Sequence, residues 1–204
     1  MLLIAGPIVA ALLSVASTPA LAETDGAAAD GYPVAINFVD NFTARFAVPP
    51  DFLWAELKRM YVDGNKYRDL GFAVELIEPS ATSWLGGSVV TSTAGGVLDR
   101  REAHLTSLDD ELQFMAIRVV YSDGSAISVS YDVRPAGEGS LMQLIVHARQ
   151  TVPVAAADGA AGEPPSAADV RAAAEALSAY HYGQLEEVWA ADIARIEALY
   201  AETR

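Results

Sequence analysis

The sequence predicts an α+β fold in which a seven-stranded, curved antiparallel sheet wraps around a long C-terminal helix. Three features carry that expectation. Apolar and polar residues alternate with a period of two through most of residues 73–153. A helical apolar stripe then runs from just after Ser166 almost to the C-terminus. Ahead of both, a two-proline corner, Pro49-Pro50, separates a strand-like stretch from a helix-like one.

The first strand is read from Val34 to Ala47, where Ile36, Phe38, Phe42, Ala44 and Phe46 keep the two-residue period. Proline cannot donate to a ladder, so Pro49-Pro50 stops that strand. The same residues suit a helix start, with Asp51 at the positive end of the dipole. Leu53, Leu57 and Met60 follow at helical spacing, and Gly64-Asn65 ends the helix. One more short turn fits between Lys66 and Leu70.

Six strands are then expected at about 73–79, 82–93, 97–108, 111–122, 125–135 and 139–153. Pro79, Gly95-Gly96, Asp109-Asp110, Asp123-Gly124 and Gly137-Glu138 punctuate them, and connections this short make successive strands antiparallel neighbours. Residues 154–166 form a low-complexity loop rich in Ala, Gly and Pro. Ser166 with Asp169 opens the last helix as a capping box, and Gly183 is its weak point.

Residues 1–22 are apolar and end in Ala20-Leu21-Ala22, the pattern of a cleaved secretory signal. Residues 23–33 read as a flexible leader and 34–204 as one domain. The expected location is therefore exported, periplasmic or extracellular, with no integral membrane segment once the signal is removed. The chain has no cysteine, so no disulfide supports it. A net charge of -14, with Lys58 and Lys66 the only lysines, argues against nucleic acid as a partner. His104, His147 and His181 lie too far apart for metal spacing, and no phosphate loop, dinucleotide fingerprint or nucleophile elbow occurs. No cofactor and no metal are expected.

The stretch ARFAVPPDFLWAELKRMYVDGNKYRDLGF resembles the opening of the START-like (SRPBCC) helix-grip superfamily, near its polyketide cyclase/dehydrase type. Val48, Pro49, Pro50, Trp54, Leu57, Asp63 and Tyr67 stand where such proteins have a proline corner, a Trp-bearing helix and a short Asp- and aromatic-containing segment. The glycine-rich loop before the last helix and that helix itself are longer than the family pattern. The resemblance implies a deep apolar cavity between sheet and C-terminal helix. It implies a lipid- or polyketide-like ligand there, or, as the alternative, cofactor-independent cyclase or dehydrase chemistry in the same cavity.

Strand alternation sorts the candidate site residues. Met115, Tyr121, Tyr131 and their apolar neighbours are assigned to the concave face, and Trp84 is placed with them. His181 and Trp189 join from the last helix, which makes Trp84, Met115, Tyr121, Tyr131, His181 and Trp189 the expected ligand wall. Each of these aromatics also reads as plain core. His181 and Tyr131 are the acid/base candidates if chemistry occurs. Arg118, Asp132, His147 and Arg149, with Glu102 and His104 nearby, fall on the opposite face, where a ladder of solvated charges is preferred over a catalytic cluster.

Overall fold

The computed structural model describes residues 31–92, 99–122, 125–155 and 164–204. The signal, nearly all of the leader, Gly95-Gly96, Asp123-Gly124 and residues 156–163 of the low-complexity stretch lie outside those described residues. The chain runs β1 (Tyr32–Phe46), α1 (Pro50–Tyr61), α2 (Asn65–Asp69), β2 (Ala73–Ile77), β3 (Gly87–Ser92), β4 (Asp99–Asp109), β5 (Phe114–Tyr121), β6 (Ala126–Ala136), β7 (Gly139–Val154) and α3 (Ala167–Glu202). The strands form one antiparallel sheet in the order β1-β7-β6-β5-β4-β3-β2. Five meandering hairpins thus end with the last strand pairing the first.

That pairing explains the proline corner. Phe46 stands opposite Ser140, the second residue of β7, so β1 has no partner left where it reaches Val48. The chain must turn off the sheet, and Pro49 and Pro50 start α1 with no side-chain cap. The corner is held from three sides. Ser140 Oγ donates to the Val48 carbonyl at 3.0 Å, the Ala47 amide donates to Glu197 at 2.7 Å, and Gln113 Nε2 donates to Asp51 at 2.6 Å. Further along α1, Trp54 Nε1 and Lys58 Nζ both donate to Asp110 in the β4–β5 turn.

Two elements differ from the sequence reading. The strand expected at 82–93 begins only at Gly87, because residues 79–86 close into hydrogen-bonded turns. Ser83 Oγ donates to the Gly86 carbonyl at 2.9 Å, and Gly86 has a φ of 79° that suits glycine. β4 carries a bulge between Leu105 and Ser107, so Leu105 and Leu108, three residues apart, both pack on the core. Helix α3 is continuous through Gly183, and the Ser166–Asp169 capping box forms.

Gly139 opens β7 against the end of β1. A Cβ there would sit 2.2 Å from the Phe46 carbonyl oxygen, a backbone atom that cannot step aside without moving the corner. Gly139→Ala is therefore expected to destabilise the fold by roughly 2 kcal/mol, a fall of about 4–8 °C in Tm. Thermal unfolding followed by circular dichroism checks this, and an unchanged midpoint would show that the corner is softer than described.

Candidate functional site

Helix α3 buries Leu177, His181, Leu185, Val188, Trp189, Asp192 and Ile196, a stripe at three- and four-residue steps. It packs mainly along β1, with further contacts to β7 and α1. Trp189 anchors it. Its ring meets Phe46 edge-on at 6.3 Å and Tyr131 at 6.2 Å, and Lys66 Nζ lies 5.4 Å from its centre. Because the helix sits toward the β1 side, Ala103, Val119, Ile127 and Val129 on the inner face of β4–β6 are only half-buried.

Between α3 and the inner face of β1, β7 and β6 lies a cavity of about 40 Å³ whose walls include Phe38, Asp40, Tyr131, His181, Gln184 and Trp189. The His181 ring stacks on Phe38 with centroids 4.8 Å apart. Its Nε2 is 3.4 Å from Gln150 Oε1; an amide oxygen only accepts, so the ring proton belongs on Nε2. Burial lowers the His181 pKa to about 4, so the imidazole is neutral at pH 7. Asp40 is 4% exposed. Its Oδ1 accepts from Ser178 Oγ at 2.7 Å, while Oδ2 is buried with no hydrogen-bond partner. Burial pushes this carboxyl above the usual range, and the Ser178 bond offsets part of the rise.

Tyr131 divides this cavity from a second one of about 60 Å³, whose walls include Tyr61, Tyr67, Arg101 and Tyr121. Arg101 is buried with its guanidinium carbon 5.0 Å from the Tyr121 ring centre. Burial raises the Tyr61 and Tyr131 phenols well above the ordinary value, so both keep their protons. Beyond Tyr61, a space of about 200 Å³ opens against Leu76, Leu85 and Ala103. Lys66 straps α2 across this end: its Nζ donates to Asp192 Oδ2 at 2.5 Å and to Tyr61 Oη at 3.1 Å. Among the described residues the greasy interior thus shows small compartments partitioned by tyrosine rings rather than one deep chamber.

Of the expected wall residues, Tyr131, His181 and Trp189 meet at the first cavity and Tyr121 lines the second. Met115 is fully buried in the core. Trp84 is a correction: it sits in the 79–86 turns and is 80% exposed, because the strand it was assigned to starts three residues later. The opposite face holds Arg118, His147 and Arg149 exposed, while Asp132 pairs with Arg134 and His104 bonds Ser83 Oγ at 3.0 Å. The buried polar residues that were missed include Asp40, Arg101 and Gln150. Each stands on the inward phase of its strand, Asp40 between Phe38 and Phe42, Arg101 before Ala103, Gln150 after Ala148. Parity was the signal that would have found them. Among the described residues no group of three His, Asp or Glu side chains could hold a metal ion, and no helix is long and apolar enough to cross a membrane.

The His181 shift has a consequence for stability. Between about pH 6.5 and about pH 4 the unfolded chain binds a proton there that the folded chain does not, so stability falls as pH is lowered through that window. Asp40, whose folded pKa is raised, works in the opposite sense and recovers stability as pH falls. His181→Phe keeps a ring against Phe38 but cannot titrate. Going from pH 7 to pH 5, the wild type should lose about 2 kcal/mol more than this variant in denaturant melts. Equal losses would place the histidine in a wetter setting than the structure gives it.

No protein-family model matches the chain, and no curated protein is similar enough to count as a relative. Solved structures share its architecture. A Staphylococcus aureus protein of unknown function matches 82% of this chain and 98% of its own at 7% identity, with a TM-score of 0.57. A START superfamily protein from Mycobacterium smegmatis matches 79% and 98% at 9% identity, with a TM-score of 0.51. A truncated norcoclaurine synthase from Thalictrum flavum matches 81% and 94% at 12% identity, with a TM-score of 0.50. Element order, sheet order and these likenesses agree: the chain has the START-like, SRPBCC helix-grip fold.

Proposed function

We propose that this protein is an exported binding protein for a small hydrophobic molecule, held between the inner face of β4–β6 and α3. One observation carries the reading. Val119, Ile127 and Val129, apolar residues on the concave side of the sheet, stay only partly buried beside a cavity that also holds buried polar groups. Apolar walls with a few fixed polar groups are the makeup of small-molecule sites. A cavity of about 40 Å³ takes a few non-hydrogen atoms, so the bulk of a ligand lies over the partly buried valines and isoleucine. Rotation of Tyr131 or Tyr61 would join the neighbouring compartments to it. Export rests on the apolar segment ending at Ala22, and a lipid- or polyketide-like ligand on the fold.

A second reading has one observation in its favour. A neutral imidazole beside a buried carboxyl is the equipment of a general acid–base step, as in a cofactor-independent cyclase or dehydrase. It ranks second because acid–base chemistry needs the reacting atoms to sit at His181, where about 40 Å³ is free, whereas a bound molecule can leave its bulk over the apolar face. Tyr131, which keeps its proton, serves such a step as a donor and not as a base.

Two outcomes test the binding reading. An anilinonaphthalene probe should bind and brighten, and Val129→Phe, which fills the half-open gap, should weaken it at least tenfold with Tm within about 3 °C of wild type. Undiminished binding by that variant would move the probe to another surface. For export, the full-length gene expressed in a Gram-negative host should yield a periplasmic species whose intact mass starts at Glu23; a cytoplasmic, full-length product would refute that part.

A further inference from the structure

The unpartnered oxygen of Asp40 says what kind of ligand the site takes. The carboxyl is more than nine-tenths buried, and Ser178 Oγ satisfies only Oδ1. Oδ2 is the one buried side-chain oxygen or nitrogen left without a hydrogen-bond partner among the described residues. Such an atom loses its water and gains nothing, a cost of a kind folded proteins ordinarily avoid. Asp40 itself forms part of the wall of the cavity beside α3.

The rest of that wall narrows the chemistry. Among the described residues no lysine or arginine lines the cavity, so none of them supplies a cation there. Lys66 and Arg195, on the elements nearest Trp189, are both engaged with Asp192. Phe38 with its stacked His181, Tyr131 and Trp189 present aromatic rings around the same space. A carboxylate among aromatic rings favours a donor that also carries positive charge, since ring faces attract cations and a charged hydrogen bond is about twice as strong as a neutral one. The volume of about 40 Å³ admits an ammonium head and a carbon or two, not a ring.

Resting on the binding reading above, we infer that the ligand is an apolar amine, its protonated nitrogen donating to Asp40 Oδ2 and its hydrocarbon part lying over Val119, Ile127 and Val129. The nitrogen fills the one unmet hydrogen-bonding position in the site. A hydrocarbon or an alcohol would leave the carboxylate charge unneutralised.

Isothermal titration of the full chain with n-octylamine and with n-octanol, which share a hydrocarbon tail, tests this at pH 7.5. The amine is expected to bind at least tenfold more tightly than the alcohol. In Asp40→Asn, which removes no atom from the packing, the two affinities should fall within about threefold of each other while that of the alcohol is unchanged. Alcohol binding as tight as amine binding in the wild type overturns the inference and leaves the binding reading standing. A tenfold amine preference that survives Asp40→Asn overturns it too. Failure of both compounds to bind removes the inference together with the binding reading. The wild-type pair decides on its own should Asp40→Asn not fold.

Discussion

Trp189 fixes where the C-terminal helix lies, and nearly everything about the site follows from that. Its buried ring is wedged between Phe46 at the end of β1 and Tyr131 in mid-sheet, with the Lys66 ammonium against it. A tryptophan in such a position is worth about 3–5 kcal/mol against truncation to alanine. Lys66 and Arg195 converge on Asp192 one turn further along the same helix, so the polar strap and the aromatic wedge hold the same stretch of α3. With the helix held toward β1, the middle of the concave sheet keeps only partial cover.

That partial cover accounts for the mixed character of the interior. Around Phe46, Leu53, Leu57 and Met142 the packing is complete and the fold is stable for the usual reason, apolar surface withdrawn from water. Around Phe38, Tyr131 and His181 it is incomplete, and polar groups occupy inward positions that aliphatic residues could have filled. Asp40 and Gln150 are destabilising there compared with leucine, since each must be desolvated for at most one hydrogen bond. Such groups next to unfilled space fit the proposed binding role, in which a ligand would supply the missing polar contact. Binding sites and filled cores differ in that way.

The inward and outward faces of β5, β6 and β7, the first helix, the proline corner and the last helix's capping box were legible in the sequence, because each is written in local chemistry: period, proline, capping residues. The inward phase of Tyr131, Met142 and Leu144 followed from the same period. Three things were not legible. The alternation within 82–93 does not reveal that Ser80, Ser83 and Gly86 prefer to bond one another, which is why Trp84 was taken as a wall residue and lies outside. The bulge after Leu105 changes the parity of β4 without any glycine or proline to mark it. Last, the stripe on α3 shows which side of the helix is buried but not over which strands it lies. The size of the interior space depends on that lateral placement, so a deep chamber was expected where the described residues enclose small ones.

The proposed binding role requires that apolar molecules settle on the half-covered middle of the concave sheet. Methyl-resolved NMR of the purified protein titrated with naphthalene addresses that directly. Shift changes should concentrate on Val119, Ile127, Val129, Leu144 and Leu185 and saturate together with one affinity. Unmoved methyl signals at those residues, or changes centred instead on the outward Val39 and Leu112, would contradict it.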